Sequence, residues 1–121
     1  MPMKIWTDAS KTHLCYVFET DEMAIAPIAG DVPVNQAEYI ALTVALRDCL
    51  QRGIKNIEIY TDSQVLAYQL TGRYKCRAPN LRPLRSECYQ LLSLFERWSI
   101  TWTKREDNKA GVLLERLGAR A

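Results

Sequence analysis

Apolar and polar positions first alternate with the period of an extended chain. Lys4–Ser10 (Lys-Ile-Trp-Thr-Asp-Ala-Ser) puts Ile5 and Thr7 on one face of a strand and Trp6 and Asp8 on the other, and it runs out at a carboxylate. Ser10–His13 reads as a turn, Leu14–Glu19 as a strand rich in aromatic and β-branched residues, and Met23–Ala29 as a third strand after the polar break Thr20–Glu22. These three make an antiparallel meander that ends at Gly30, Asp31 and Pro33. The period then becomes helical. A long helix opens at Asn35 and runs to about Arg52, where Gly53 closes it. Its Ala37, Ile40, Ala41, Val44, Ala45 and Leu46 leave little polar surface in the middle turns, as expected of a helix packed on a sheet.

Ile57–Ser63 repeats the first pattern, with an Ile-rich strand ending in Thr61, Asp62 and Ser63. Asp62 or Ser63 then caps a short helix to Gly72. A helix over Leu84–Trp98 carries Cys88, Leu91, Leu92 and Phe95 at helical spacing. Ser99–Thr103 forms a last strand, and a terminal helix from Asn108 carries Val112, Leu113, Leu114 and Leu117. Three strands, a helix, a strand, two helices, a strand and a helix give an α+β or mixed α/β layout, one sheet with helices packed on its faces.

Composition narrows the class. The 121 residues suit one domain over 1–121, and 48% hydrophobic with 25% charged residues is ordinary for a soluble globular chain. No apolar run nears the ~20 residues of a membrane span, and no secretory layout opens the chain, so a cytoplasmic address is expected. A monomer is the expected state, with a dimer as the alternative. Cys15, Cys49, Cys76 and Cys88 are scattered, which favours packed, reduced thiols over a zinc site, and His13 is read as a solvated turn residue. Trp6, Trp98 and Trp102 lie in or beside strands and are read as core or sheet-face residues rather than base-stacking platforms. Arg73, Lys75, Arg77, Arg82 and Arg85 fall between Gly72 and Arg85 with no acidic residue. That stretch is either a phosphate-contacting surface or a solvated face, and a net charge of +2 makes the overall attraction to nucleic acid weak.

Asp8 and Asp62 end similar strands, and Glu38 lies in the first turn of the long helix. Each has an ordinary explanation. Asn35-x-x-Glu38 resembles a capping box, Asp62 an N-cap, and Asp8 a turn residue. Brought together they pose an electrostatic problem, because two carboxylates about 4 Å apart repel by ~4 kcal/mol at an effective dielectric near 20. A divalent cation resolves it. Hard oxygen donors without His or Cys suit Mg²⁺ or Mn²⁺, and a pair of such ions can drive phosphodiester hydrolysis.

Five segments then carry a resemblance: Thr-Asp-Ala-Ser at 7–10, Asn-Gln-Ala-Glu-Tyr-Ile-Ala-Leu at 35–42, Tyr-Thr-Asp-Ser-Gln at 60–64, Gly-Arg-Tyr-Lys at 72–75 and Arg-Glu-Asp-Asn-Lys-Ala at 105–110. In order and spacing the chain resembles the type 1 ribonuclease H family, its compact prokaryotic and retroelement-like members above all. The resemblance implies a ribonuclease H-like fold: a five-stranded mixed sheet of three antiparallel and two parallel strands, with helices on both faces. It implies endonucleolytic cleavage of the RNA strand of an RNA–DNA hybrid, leaving a 5′-phosphate and a 3′-hydroxyl. It also implies two Mg²⁺ or Mn²⁺ ions held by Asp8, Glu38 and Asp62, with Ser10, Asn35, Arg73 and Lys75 on the nucleic acid and Asn35 in its minor groove. The chain departs from the pattern at 112, where valine replaces the fourth acid of the family, and it lacks the family's loop histidine and the glycine-rich loop after the first aspartate. Glu115, one turn further along the helix, and Glu106 and Asp107 before it are the candidate replacements. The alternative function is a hybrid-binding module that cuts slowly or not at all.

Overall fold

The computed structural model describes residues 1–119 and contains one five-stranded sheet. Strands β1 (Met3–Ala9), β2 (His13–Phe18) and β3 (Met23–Pro27) are the antiparallel meander. Helix α1 (Val34–Gln51) crosses to β4 (Asn56–Thr61), which lies parallel to β1. Helices α2 (Gln64–Leu70) and α3 (Arg82–Leu92) precede β5 (Arg97–Trp102), parallel to β4, and the chain closes with α4 (Lys109–Arg116). The order β3-β2-β1-β4-β5 leaves β3 and β5 at the edges and gives the mixed sheet that the resemblance implies.

Alternation along the strands divides the apolar residues between two layers. Ile5, Phe18, Ile57, Ile59 and Ile100 bury one face of the sheet against Ala37, Ala41, Leu42, Ala45 and Leu46 of α1 and against residues of α2 and α3. On the other face Cys15 and Val17 meet Ala110 and Leu114 of α4, with Trp6 packed alongside. Inside the larger core the Tyr39 hydroxyl donates to Gln69 Oε1 at 2.6 Å, so its one polar atom is satisfied where water is absent.

Several boundaries differ from the pattern reading, each for a local reason. Helix α1 begins at Val34 with Pro33 as its N-cap, which sets Asn35 inside the first turn and Glu38 in the second. The capping box therefore does not form, and Glu38 is buried at 4% exposure instead of folding back on the helix end. Gly53 closes the helix as expected, at φ +75. Helix α3 starts at Arg82, with Pro83 in a first-turn position where its missing N–H costs nothing. It stops at Leu92, well before Trp98, because Glu96 donates its backbone N–H to Lys55 O and Arg97 already pairs with Asn56 in the sheet. β3 ends at Pro27 rather than Ala29, and His13 opens β2 instead of sitting in the turn. No described helix is long and apolar enough to cross a membrane.

One buried side chain couples the layers to the strand that carries Asp8. The Asn108 carboxamide oxygen accepts from the N–H groups of Ala110 and Gly111, capping α4, while its Nδ2 donates to Thr7 O at 3.0 Å. The residue has no solvent exposure. Asn108→Ala removes a helix cap and strands a buried carbonyl at once, and should cost about 2–3 kcal/mol, read as a lower urea midpoint with an unchanged slope. A shift below ~0.5 kcal/mol would show that α4 is held by its apolar face alone.

Candidate active site

Parallel pairing of β1 with β4 sets Thr7 opposite Thr61, so the next residue in the chain after each, Asp8 and Asp62, emerges side by side at the same end of the sheet. Asp62 is not consumed by the helix that follows, because Ser63 is the N-cap of α2 and its hydroxyl accepts from Leu66 N–H at 3.1 Å. Glu38 reaches the same place from α1. One carboxylate oxygen from each of Asp8, Glu38 and Asp62 lies within 4.8 Å of the other two. Asp8 and Glu38 are buried, and the Asp62 side chain keeps only 7% of its exposure.

At 4.8 Å each carboxylate pair repels by about 3 kcal/mol at an effective dielectric near 20. Arg105 brings a positive charge to Asp62, its Nε lying 3.4 Å from Oδ2. That oxygen is buried and accepts no hydrogen bond, and the guanidinium is itself more than half exposed, so water screens much of its effect. The donor set is three hard oxygens. Oxygens around one Mg²⁺ lie about 3 Å apart when adjacent and about 4.2 Å apart when opposite, so the three side chains would draw closer around a shared ion. The residues present fit a hard divalent cation. Beside them, burial pushes the Cys15 thiol up to about 12, with the Asp8 carboxylate adding to the effect, so this cysteine is an inert packing residue.

Backbone contacts fix the second aspartate. Trp102 Nε1 donates to Asp62 O at 3.2 Å, and Thr103 N–H donates to Thr61 O at 2.8 Å. Neither Arg105 nor Trp102 stands out in the sequence as a site residue. The signals were there, since Arg105 opens the Arg-Glu-Asp-Asn motif and Trp102 ends the strand that pairs with Thr61.

The other expected site residues are dispersed. Ser10 is 3% exposed and its hydroxyl serves the β1–β2 turn, donating to Ala119 O at 2.6 Å and accepting from His13 N–H at 3.1 Å. Asn35 is exposed on the first turn of α1, and its neighbour Gln36 accepts from Asn80 Nδ2 at 3.3 Å, tying the basic connection to the helix that carries Glu38. Arg73 and Lys75 are exposed, whereas Arg85 donates to Gln69 O and the Tyr89 hydroxyl and belongs to the packing. Glu115 is exposed on α4 and does not join the carboxylate cluster. Val112 lines a depression of about 340 Å³ with Glu106, Asp107, Val17 and Met23, so the two loop acids stay out of the cluster as well.

A family model described as reverse transcriptase-like matches residues 20–114. Ribonuclease HI of Halobacterium salinarum is 43% identical over 80 residues, 66% of this chain and 40% of that protein. The crystal structure of RNase H1 from Halobacterium salinarum superposes with a TM-score of 0.85 at 31% identity, covering 94% of each chain. LC11-RNase H1 in complex with an RNA/DNA hybrid superposes with a TM-score of 0.80 at 25% identity, covering 92% of each chain.

If the three acids share one cation, Mg²⁺ at about a hundred times its Kd should stabilise the protein by ~2.7 kcal/mol, a clear rise in Tm. Asp8→Asn should lose most of that increment in differential scanning fluorimetry. An equal rise in the variant would place the ion elsewhere.

Proposed function

The chain belongs to the type 1 ribonuclease H family, and from that membership and its carboxylate pocket we propose that it is a metal-dependent endoribonuclease acting on the RNA strand of RNA–DNA hybrids. The observation that carries the reading is the convergence of Asp8, Glu38 and Asp62 from three separate elements within 4.8 Å. A related structure in complex with an RNA/DNA hybrid supports the substrate class.

Asp8, Glu38 and Asp62 would hold the ions. When bound, two Mg²⁺ or Mn²⁺ ions activate a water and stabilise the leaving oxygen of a phosphodiester. The chain itself supplies position. Asp8 and Asp62 are fixed by the β1–β4 ladder, Glu38 by the helix packed over β1 and β2, and burial of Asp8 and Glu38 keeps bulk water from screening their charge. Arg105 offsets part of the negative charge at Asp62 and stands where an anionic backbone approaches. Asn35 faces the minor groove, where a 2′-hydroxyl separates RNA from DNA, and Arg73 and Lys75 take phosphates without reading sequence. Ser10 acts through the turn that it organises, its hydroxyl being engaged there.

Val112 favours a second reading, a hybrid-binding module of the same fold with little catalysis. One assay separates the two. Labelled hybrid, duplex RNA and duplex DNA are incubated with Mg²⁺ and, separately, Mn²⁺. The nuclease reading expects cleavage of the hybrid and a loss of at least about 100-fold in Asp62→Asn, since metal ligation supplies several kcal/mol of transition-state stabilisation. Full activity in that variant would remove Asp62 from the metal site. Val112→Asp should raise the rate if 112 is a vacant ligand position. A silent native chain that gains activity from this change would establish the binding-module reading.

The basic surface has its own test. Exchanging both Arg73 and Lys75 for Ala should weaken hybrid binding and lower the slope of log Kd against log salt by about 1–2. An unaltered slope would take both residues out of the interface.

A further inference from the structure

A shallow depression of about 270 Å³ lies between α2 and β5, walled by Tyr68, Thr71, Arg73 and Trp102 among others. It is aromatic and cationic. The Arg73 guanidinium lies 4.3 Å from the centroid of the Tyr68 ring, whose other neighbour is Tyr74, edge-on at 5.0 Å. No carboxylate is among the lining residues. Trp102, expected to be a sheet-face residue, is 37% exposed, and its indole N–H is pinned to the Asp62 carbonyl at 3.2 Å. That bond anchors the ring by its polar edge and ties the depression to the strand end that carries the metal-site aspartate.

The size decides what fits. At about 270 Å³ the depression is smaller than the ≈ 300–1,000 Å³ of sites that enclose a drug-sized ligand, so it suits one flat group on a chain that continues elsewhere. Aromatic walls with a guanidinium at the rim are the chemistry that holds unpaired nucleotides, base on ring and phosphate on cation. Bases within a duplex are stacked on one another and cannot enter. We infer that this depression is a subsite for one unpaired nucleotide of a single strand running on from the hybrid, its base against Trp102 and its phosphate on Arg73. The inference rests on the hybrid reading above and narrows the substrate to hybrids with a single-stranded extension.

Fluorescence anisotropy in EDTA, with a labelled blunt hybrid and the same hybrid carrying a short single-stranded DNA extension at one end or the other, tests it apart from catalysis. In the native protein one of the two extensions binds about tenfold tighter than the blunt hybrid, the scale of a single stacked base. Trp102→Leu abolishes that preference and Trp102→Phe keeps most of it. Both variants lose the indole N–H bond to Asp62, so any loosening of the aspartate falls on both alike. Thr71→Glu, at an exposed position, adds a negative charge to the depression and also reduces the preference without touching Trp102. Equal native affinities for blunt and extended hybrids overturn the subsite, as does a Trp102→Leu variant that keeps the preference. Failure to cleave the blunt hybrid with metal present would instead count against the nuclease reading and leave the affinity ratio intact.

Discussion

The parallel pairing of β1 with β4 is the constraint on which the rest depends. It sets Thr7 against Thr61, and by doing so forces two aspartates from distant parts of the chain into one corner. Glu38 arrives there because α1 packs its apolar face over β1 and the neighbouring β2. Separate sheet-face cores, one under α1 and one under α4, provide the burial that keeps three like charges together. A site of this kind is a local cost to folding that a cation can turn into a gain.

Much of this could be read in the sequence, and the failures have physical causes. Strand alternation with repeated Thr-Asp ends was enough to place Asp8 and Asp62, because period-two geometry fixes where a strand's last side chains project. The expected mixed sheet is the one observed. Local capping rules were a poorer guide. Asn35-x-x-Glu38 looked like a capping box, but Pro33 takes the N-cap position and Glu38 turns inward. Of the two cap candidates before α2, the serine caps, which leaves the aspartate available. The end of α3 was overestimated because Phe95 continues the apolar spacing, although it reaches the core from a turn. Trp102 lies on the sheet as expected, but at the end of the edge strand β5, which leaves it 37% exposed.

At position 112, where the resemblance implies a fourth acid, this chain has valine. Val112 lines a depression that it shares with charged residues, Asp21 and Lys109 among them, and Glu115, Glu106 and Asp107 remain outside the cluster. Arg105, which does not stand out in the sequence as a site residue, brings a positive charge beside Asp62. With three carboxylates and an adjacent guanidinium, the pocket carries less negative charge than a four-acid set, which should weaken its hold on cations and ease the approach of a phosphate.

Anomalous diffraction from crystals grown with Mn²⁺ addresses the central claim most directly. The account predicts a strong peak bounded by oxygens of Asp8, Glu38 and Asp62. A peak coordinated by other residues, or none there at saturating Mn²⁺, would contradict it.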